Sequence, residues 1–407
     1  MPALTDIEQA REMVLERTPA MPAEEVAIGD ARGRVLAEAV DAGEEAVPGF
    51  DNSAMDGYAV RAADAAAASE QSPVSLRIAG ESRAGHPADG ELAGGEAIAI
   101  STGAMVPAGA DAVVRVEDTR PADGAVEILA APAEGLNIRR AGEDVSPGDR
   151  LLEPGVTLGA AELGVAVSVG RAALRCARRP RVSVLATGDE LVGPDEPLFP
   201  GAVRNSNMHT LPPLAIAAGA DVAGAARVRD TAAATHEAIA AALASDVVIV
   251  SGGVSVGAHD HVRPAFAELG VEQVFWGVSL RPGKPTYFGV GADTLVFGLP
   301  GNPVSAIVTF LLFARPAIRR MLGAPDARER ATATLTEPYA KRPGRAHAIR
   351  VRLELADEGW RATPTKDQGS HVLTSMLGAD ALAYLPAGAG DVAAGERVEI
   401  ELLPAGT

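Results

Sequence analysis

The residues best suited to chemistry lie in a glycine- and serine-rich loop that directly follows an apolar stretch. Residues 251–257 read SGGVSVG, and residues 247–250 before them read VVIV. A loop with small side chains lets backbone N–H groups approach an anion such as phosphate closely. Gly252 and Gly253 would equally serve a simple tight turn between a strand and a helix. This loop alone leaves both interpretations open, so other loops must decide between them.

A later loop offers positive charge. Arg281 and Lys284 flank a Pro-Gly dipeptide in the motif RPGK. A turn at that dipeptide would direct both cations to one side, where they would neutralise a bound phosphate. The alternative is a charged loop that only faces solvent.

Four carboxylates also lie just after predicted strands or just after the glycine loop. Asp189 and Glu190 follow one predicted strand, Asp230 follows another, and Asp260 comes just after the glycine loop. Carboxylates beside bound phosphates commonly hold Mg²⁺ or steer a polar group, so Asp189, Glu190 and Asp260 are candidate metal ligands. Asp230 and Asp260 would equally cap helices that begin after them.

A dense polar cluster lies much earlier in the chain. Residues 51–58 read DNSAMDGY, which is too polar for a core, and a network of Asx turns would explain it without any ligand. Residues 101–104 (STGA) and 143–144 (ED) look like further site loops. Asp56, Thr102 and Asp144 are therefore candidate functional residues outside the segment of the glycine loop.

Two other chemistries are weaker interpretations. His259 and His261 alternate in a loop, but such a pair rarely completes a zinc site without further His or Cys ligands. The glycine loop also matches the Gly-x-Ser-x-Gly elbow, which would make Ser255 a nucleophile with His347 or His371 as its base. That elbow places its serine at the strand-to-helix turn, whereas here two glycines come first. The sequence contains no Walker motif and no complete Gly-x-Gly-x-x-Gly at a strand end.

A doubly wound α/β domain is expected to position the glycine loop and its neighbours. Between residues 181 and 322, strand-like apolar runs alternate with helical patterns. Four of the loops follow predicted strands and would meet at one edge of the sheet if those strands are parallel. The predicted strands are 182–185, 222–228, 247–250, 273–278, 286–290 and 294–298, and the predicted helices are 208–218, 231–244, 261–269 and 303–321.

The pattern predicts a multidomain α/β plus β protein. An amphipathic helix over residues 5–17, capped by Thr5 or Asp6, opens a partly helical scaffold. Short alternating runs between residues 74 and 129 indicate a small β-rich insertion, and those after residue 330 indicate a β-barrel, with a helix at 370–377. The predicted domains are a discontinuous scaffold (1–49 and 138–179), the inserted β-rich domain (50–137), the α/β domain (180–324) and the C-terminal barrel (325–407).

Composition excludes several classes of function. The 407 residues carry a formal net charge of −18, which argues against sequence-independent binding to nucleic acid or to an anionic membrane. The single cysteine, Cys176, rules out an intramolecular disulfide and a Cys-rich zinc site, and is most simply a core residue. The N-terminus lacks a signal-peptide pattern and no long apolar run occurs, so a cytoplasmic protein is expected.

Seven motifs, taken in order, resemble the molybdopterin molybdenumtransferases of molybdenum cofactor biosynthesis, the family that includes bacterial MoeA and the gephyrin E domain. The match runs through nearly the whole chain. The motifs are DNSAMDGYA (51–59), STGA (101–104), AGEDV (141–145), TGDEL (187–191), SGGVSVG (251–257), PGKP (282–285) and LPGNPVS (299–305).

The resemblance implies four domains per subunit and an elongated homodimer, with a cleft between the α/β domain of one subunit and domains of the other. It also implies that adenylylated molybdopterin and molybdate give molybdenum cofactor and AMP, with Mg²⁺ or another divalent cation. Residue by residue, it places Asp56, Thr102, Glu190, Asp144, Asp230 and Asp260 in the catalytic cleft. It places Ser251, Gly252, Gly253, Ser255, Gly257, Lys284, Pro300, Gly301, Asn302 and Pro303 at the pterin phosphate or adenylate, and Arg139, Arg281 and Lys284 are our candidates for molybdate.

The chain departs from the resembled pattern at two positions. Arg281 stands where many relatives have lysine, which keeps the charge but changes the donor geometry. Ala258 stands where an acid is more common, which bears on the metal site and on the role of His259. Two alternative functions remain: the adenylyltransferase step of the same pathway, whose enzyme would otherwise be a partner, and a pterin-binding scaffold without turnover.

Overall fold

The N-terminal part of the chain contributes one helix and two short strands. The structure, a computed structural model, describes residues 4–254, 260–325, 330–365 and 367–404. Asp6 caps the first helix, since its side chain accepts a hydrogen bond from the Glu8 N–H, as the sequence predicted. The elements are α1 (Ile7–Glu16), β1 (Ala23–Ala27) and β2 (Val40–Asp41).

The inserted region is rich in β-structure. Six of its strands form one sheet in the order β7-β4-β6-β5-β9-β8. Buried aliphatic side chains, among them Leu76, Val114 and Ile128, fill its core. The strands of this region are β3 (Asn52–Ser53), β4 (Gly57–Val60), β5 (Val74–Ser82), β6 (Glu96–Ile100), β7 (Ala112–Arg115), β8 (Thr119–Ala122) and β9 (Ala125–Ile128).

The chain then returns beside its N-terminal part. Strand β10 pairs with β3, β11 pairs with β2, and β12 pairs with β1, each antiparallel. Cys176 is fully buried here, so the expectation of a core cysteine is confirmed. The elements are β10 (Ile138–Arg139), β11 (Arg150–Leu152), α2 (Ala160–Ser168) and β12 (Ala173–Ala177).

Strands and helices alternate through the next 140 residues or so, as the sequence predicted. The strands are β13 (Arg181–Thr187), β14 (Leu191–Val192), β15 (Val203–Arg204), β16 (Asp221–Val228), β17 (Val247–Ser251), β18 (Glu272–Trp276), β19 (Leu280–Arg281), β20 (Tyr287–Val290) and β21 (Leu295–Leu299). The helices are α3 (Asn207–Ala217), α4 (Ala232–Ala242), α5 (Val262–Glu268), α6 (Pro303–Thr309) and α7 (Arg315–Met321).

The central sheet is covered on both faces, which confirms the doubly wound arrangement. Its order is β16-β13-β17-β21-β20-β18. Alternate residues of β17 point to opposite sides: Val247 and Ile249 join a core with α3, α6 and α7, whereas Val248 and Val250 join one with α4 and α5. Strands β16, β13, β17 and β21 are parallel, but β20 runs antiparallel to β21 and to β18. The carboxyl ends of β13, β17 and β21 therefore meet at one edge.

The C-terminal strands close into a barrel of five strands, as predicted. They are β22 (Arg330–Leu335), β23 (Ala346–Ala356), β24 (Gly359–Pro364), β25 (Ala381–Leu385) and β26 (Arg397–Leu402). The ring runs β23-β24-β22-β26-β25 and returns to β23, while the two-residue strand β19 adds outside it, parallel to β23. Interior residues include Ala333, Ala362 and Ala383, whose small side chains suit the narrow interior of so few strands.

Three predicted elements differ in the structure. The single helix expected over 303–321 is interrupted by a π-helical turn at Phe310–Ala314. Pro316 follows this turn; because proline has no N–H, it cannot continue an α-helical ladder there, and the wider turn accommodates it. The helix predicted at 370–377 is only a 3₁₀ turn, Leu373–Met376. Helix α1 packs through Ala10 and Val14 into the core of the α/β domain rather than within the scaffold.

Candidate functional site

A cavity of about 660 Å³ lies where the parallel strands β13, β17 and β21 end. Thr187 and Ser251 are the last residues of β13 and β17, Pro300 directly follows β21, and all three line the cavity. The wall is thus made by loops at the carboxyl ends of adjacent parallel strands, where open α/β sheets bind their ligands.

The glycine loop needs its glycines for steric reasons. Gly252 has φ +93°, and a Cβ there would lie 2.7 Å from the carbonyl oxygen of Thr187. Gly253 has φ +64°, and a Cβ there would lie 2.7 Å from Cγ2 of Val262. The two glycines therefore do make a tight turn packed against β13 and α5. This explains their presence and also leaves the backbone accessible from the cavity.

Several backbone N–H groups beside the cavity remain available to a ligand. Within the described parts of the chain, the N–H groups of Gly253, Gly301 and Asn302 donate to no protein acceptor. All three residues line the cavity, and Asn302 is the N-cap of α6. Free N–H groups at a loop and a helix start suit an oxyanion, so the edge has the donors that a phosphate requires.

Asn207 joins the two loops of the cavity. It begins α3, is nearly buried, and its side-chain Nδ2 donates to Ser251 Oγ at 2.6 Å and to the Gly301 carbonyl at 2.8 Å. Ser251 Oγ in turn donates to the Pro300 carbonyl at 3.3 Å. A carbonyl oxygen only accepts, so the nitrogen of the amide must face Gly301. The loops after β17 and β21 are therefore held in a fixed relation by one side chain.

Two buried oxygen atoms near this bridge lack a protein partner. Among the described residues, Asn207 Oδ1 and Thr187 Oγ1 are buried and make no hydrogen bond. Buried polar atoms normally have partners, and an unpaired one is costly. Both residues line the cavity. A ligand with N–H or O–H groups would donate hydrogen bonds to these two oxygens. This part of the cavity therefore suits a ligand with donor groups rather than an anion alone.

Three of the predicted acids line the same cavity: Glu190, Asp230 and Asp260. Asp189 does not, because its Oδ1 accepts a hydrogen bond from the backbone N–H of Asp230 at 3.0 Å. Asp230 is not a helix cap, since Thr231 caps α4 through the N–H of Ala234. Helix α5 begins after His261, with no side-chain cap. Glu190, Asp230 and Asp260 thus belong to the cavity wall, and Asp230 does not cap α4.

The described residues do not form a magnesium site on their own. No group of three or more His, Cys, Asp or Glu side chains is placed to hold a metal ion in the described ranges, including Asp189, Glu190 and Asp260. A zinc site at His261 gains no support for the same reason, and His259 lies outside the described residues. Any Mg²⁺ would therefore need ligands beyond these carboxylates, such as phosphate oxygens of a substrate.

The barrel domain closes one side of the cavity. His371 lines it, and the preceding residue, Ser370, accepts a 2.9 Å hydrogen bond at Oγ from Nδ2 of Asn302. The Val304 N–H donates to the Ser370 carbonyl at 3.2 Å. These contacts join the loop 300–304 to residues 370–371 of the C-terminal region.

A second group of predicted residues lies in the β-rich insertion. Asp56 Oδ1 accepts a hydrogen bond from the Thr102 N–H at 2.7 Å, so the structure brings these two residues together. Arg139 pairs in register with Asn52, and the Asp144 N–H donates to the Val47 carbonyl. None of the four candidates lines the first cavity.

The loops around this second group of residues are held by hydrogen bonds, but the residues themselves are exposed to solvent. Asp51 accepts hydrogen bonds from the Ala141 N–H at 2.9 Å and from Arg140 at 2.6 Å, and these contacts lower the pKa of its carboxyl group. Asp56, Thr102, Arg139 and Asp144 are all exposed. Large apolar side chains nearby in the sequence are exposed too: Phe50 (42%), Met55 (38%), Met105 (39%) and Leu136 (40%). The region thus carries apolar and acidic side chains that no described part of the chain buries.

The structure separates Arg281 and Lys284 from the other predicted ligands. Both line a second cavity of about 880 Å³ beside the barrel, together with Lys341, Arg345 and His347. Only the next residue of their loop, Pro285, lines the first cavity. Of the remaining predicted residues, Pro300, Gly301, Asn302 and Pro303 line the first cavity, whereas Ser255 and Gly257 lie outside the described residues.

Several residues of the first cavity wall had no individual role in the sequence analysis, among them Thr187, Arg204, Asn205 and Asn207. Thr187 lies in the motif TGDEL, and Arg204 and both asparagines lie in the sequence RNSN. An asparagine at the start of a helix after such a loop is a weak signal, because it usually indicates a cap. Its role here depends on contacts with residues far away in the sequence.

Three family models match successive parts of the chain. The MoeA N-terminal region (domain I and II) matches residues 5–170, a probable molybdopterin binding domain matches residues 183–320, and the MoeA C-terminal region (domain IV) matches residues 332–403. The glycine loop and the loop 299–305 both fall in the second match.

Full-length relatives and a solved structure agree with these matches. The molybdopterin molybdenumtransferase of Haemophilus influenzae is 37% identical over 401 residues, covering 97% of this chain and 98% of the relative. That of Bacillus subtilis is 34% identical over 384 residues, covering 93% and 89%. A molybdopterin biosynthesis MoeA protein from Pyrococcus horikoshii superposes with a TM-score of 0.84 at 34% identity, covering 98% of this chain and 99% of the other.

Proposed function

We infer the function from one premise: the chain belongs to the molybdopterin molybdenumtransferase family, as its three matched regions and its full-length relatives establish. Its activity is therefore that of a transferase in molybdenum cofactor biosynthesis. We propose that it combines adenylylated molybdopterin with molybdate, giving molybdenum cofactor and AMP.

The observation that carries this proposal is the composition of the first cavity. Counting only contacts among the described residues, it offers free N–H groups at Gly253, Gly301 and Asn302 for a phosphate, and unpaired oxygens at Asn207 and Thr187 for the N–H or O–H groups of a ring system or sugar. Its volume of about 660 Å³ falls in the range of small-molecule sites. A phosphorylated pterin joined to an adenylate presents both kinds of group.

Release of AMP breaks a phosphoanhydride bond, and the cavity residues have clear tasks in that step. The backbone N–H groups would stabilise negative charge on the phosphate oxygens. With water as the nucleophile, its oxygen would bond to the adenylate phosphorus and become part of AMP, while the anhydride oxygen would leave with the pterin phosphate. Glu190 or Asp230 would accept the proton that the water loses, and Asp260 would orient a polar group of the substrate. We expect Mg²⁺ or another divalent cation to be required, with its coordination completed by substrate phosphates.

We further propose that the active site is completed by a second copy of the chain. Asp56, Thr102, Arg139 and Asp144 do not line the first cavity, and they lie beside exposed apolar side chains. A homodimer would cover that surface and bring these residues to the cavity of the partner. An adenylyltransferase of the same pathway would then be a transient partner that delivers the substrate.

The test is molybdate-dependent release of AMP. Purified protein is supplied with adenylylated molybdopterin and Mg²⁺, with and without molybdate, and AMP is quantified by chromatography. We expect release in the presence of molybdate, and a loss of at least about 100-fold for Glu190→Gln, because a positioned proton acceptor typically contributes that much. Release that ignores molybdate would contradict the proposal, as would turnover of MgATP with free molybdopterin, which would indicate the adenylyltransferase step. Pterin binding without any turnover would indicate a scaffold.

A further inference from the structure

Trp276 lies behind the glycine loop, at the edge of the sheet where the first cavity is. It is the last residue of β18. Strand β18 runs antiparallel to β20, which runs antiparallel to β21, so β18 points the same way as β21 and ends at the same edge. Trp276 is half-buried and does not line the cavity itself. Its indole N–H donates a 2.8 Å hydrogen bond to the carbonyl of Val254, the residue after Gly253.

A row of three paired residues makes the seat for Val254. Trp276 pairs in register with Tyr287, and Tyr287 pairs with Gly298 of β21. Residues paired across strands face the same side of a sheet, and here that side carries the core with α4 and α5, in which Val254 is 2% exposed. A Cβ at Gly298 would lie 2.6 Å from Cγ1 of Val254. The missing side chain of Gly298 therefore leaves the space that Val254 fills.

Arg263 of α5 packs on the ring of Trp276. Its guanidinium carbon lies 4.4 Å from the ring centroid, which is a cation–π contact. Its Nη2 also donates to Oε1 of Gln273, in the same strand as the tryptophan, at 3.2 Å. The guanidinium is thus held by β18 and restricts rotation of the indole away from Val254.

A tryptophan suits this position because it combines a large apolar ring with one N–H donor and no acceptor. The ring packs against the core that contains Val254 and Tyr287. Among the described residues, no other donor bonds the Val254 carbonyl. The indole is therefore the contact that fixes the backbone of the loop directly after Gly253.

We propose that Trp276 is a positioning residue for the substrate phosphate: by holding the Val254 carbonyl, it keeps the N–H of Gly253 in place beside the first cavity before the ligand arrives. The inference rests on the proposed function, since it assumes a phosphorylated ligand at that N–H. Glycines adopt many backbone conformations, so Gly252 and Gly253, with φ of +93° and +64°, need outside contacts to select one. A preformed donor binds more tightly than one that must be ordered during binding.

The experiment compares Trp276→Phe with Trp360→Phe, the same change at the other tryptophan of the chain. Trp276→Phe keeps an aromatic ring beside Arg263 but removes the N–H. Trp360 is the matched control because it is 36% exposed on the barrel strand β24, outside the first cavity. In calorimetric titration with adenylylated molybdopterin, Trp276→Phe should bind about three- to tenfold more weakly, the range expected for one lost hydrogen bond, and Trp360→Phe should bind like the wild type.

Kinetics distinguish positioning of the phosphate from a general loss of structure. In the AMP-release assay, the KM of Trp276→Phe should rise by about the same factor as the affinity falls, while kcat changes less than about twofold. The reason is that the indole acts on the binding loop and not on the carboxylates that accept the proton. A lower kcat with the wild-type KM would contradict this role.

A readout in the unaltered protein does not depend on how a variant folds. The indole N–H signals of the two tryptophans are followed by heteronuclear NMR and assigned with the two Phe variants. Saturating adenylylated molybdopterin should shift the Trp276 signal and slow its hydrogen exchange about threefold or more, because an occupied loop opens less often. The Trp360 signal should not change. Wild-type affinity in Trp276→Phe would overturn the proposal, as would a Trp276 signal that ignores the ligand.

The same titrations separate the role of Trp276 from the proposed reaction. Substrate binding by the wild type without molybdate-dependent AMP release would contradict the reaction, while weaker binding by Trp276→Phe would still support the positioning role. Molybdate-dependent release by Trp276→Phe with the wild-type KM would leave the reaction standing and would overturn the role of the tryptophan.

Discussion

Asn207 shows how much of the proposed site depends on one amide group. Its nitrogen joins Ser251 and Gly301, and its oxygen has no partner among the described residues. The same side chain thus fixes the distance between the loops after β17 and β21 and presents an acceptor to the first cavity. Glycine loops supply the N–H donors, but this residue sets where those donors point.

Replacing Asn207 tests that role. Asn207→Ala should lower pterin affinity about tenfold and the free energy of unfolding by about 1–2 kcal/mol, because two hydrogen bonds between loops are lost. Asn207→Asp keeps the size but places a carboxylate beside the Gly301 carbonyl and the bound phosphate, so it should weaken pterin binding further. Fluorescence titration with the pterin and urea unfolding give the two quantities. Wild-type affinity in both variants would show that the ligand does not contact Asn207.

The sequence could predict the glycine loop but not this asparagine, and the reason is physical. Small residues after a β-branched run are a local signal for a turn at the end of a strand. The partners of Asn207 lie 44 and 94 residues away along the chain. Arg281 and Lys284 show the converse limit: their charge was evident from the sequence, but their side chains line the second cavity because β19 pairs with β23.

At the scale of elements, the glycine turn between β17 and α5 leaves no room for a larger side chain. Gly252→Ala should lower the free energy of unfolding by about 2–4 kcal/mol, since the new Cβ meets the Thr187 carbonyl oxygen and the φ of +93° is strained. Gly124→Ala is the control, because Gly124 has φ +67° but nothing within 4 Å of its Cβ position. It should cost only about 1 kcal/mol. Equal losses in urea unfolding would mean that the contact with β13 does not matter.

The joint between the scaffold and the α/β domain depends on an ion pair. Asp246, which precedes β17, accepts hydrogen bonds from Arg178 at 2.8 and 3.0 Å and from the Arg181 N–H at 2.7 Å. Burial pushes the pKa of Asp246 up, but the bonds from Arg178 and Arg181 outweigh this and hold it below the usual 3.8. Because the folded state keeps this carboxylate ionised, its contribution is present above about pH 4 and is lost as the pH falls below that value.

Asp246→Asn should therefore lower the free energy of unfolding by about 2 kcal/mol at neutral pH, and by less near pH 3. Asp221→Asn, which removes the exposed pair with Arg179 at the start of β16, should cost no more than about 0.5 kcal/mol at either pH. Urea unfolding at both pH values gives the comparison. A loss in Asp246→Asn that does not shrink at low pH would contradict the assigned cause.

Sequence periodicity predicted whether a segment is a strand or a helix more readily than it predicted strand direction or a break within a helix. Strand β17 was predicted from its β-branched run, and β13 and β21 from the alternation of strand-like and helical patterns. Strand β20 runs antiparallel to β21 because the connection over residues 291–294 is too short for a crossover between parallel strands. The π-helical turn at Phe310–Ala314 likewise reflects packing of five buried residues around Pro316, which no local pattern specifies.

At the scale of the whole molecule, the proposed chemistry is divided between two surfaces of one chain. The first cavity holds Glu190, while Asp56 and Thr102 lie on the β-rich insertion beside exposed apolar side chains. The sequence predicts the four domains because each has its own pattern of runs and turns. In our proposal the two surfaces meet across a subunit boundary, and a single sequence holds no local signal for such an assembly. None of the helices in the described ranges is long and apolar enough to cross a membrane.

The central claim is that the acid of one subunit acts at the cavity of the other, and mixing two inactive variants tests it most directly. Asp56→Asn and Glu190→Gln are purified separately, each with little molybdate-dependent AMP release, and then dissociated and reassociated together. Half of the resulting dimers would be mixed and would contain one intact site of two, so about a quarter of wild-type AMP release should return. No recovery, with mixed dimers confirmed by mass spectrometry, would contradict an active site shared between subunits.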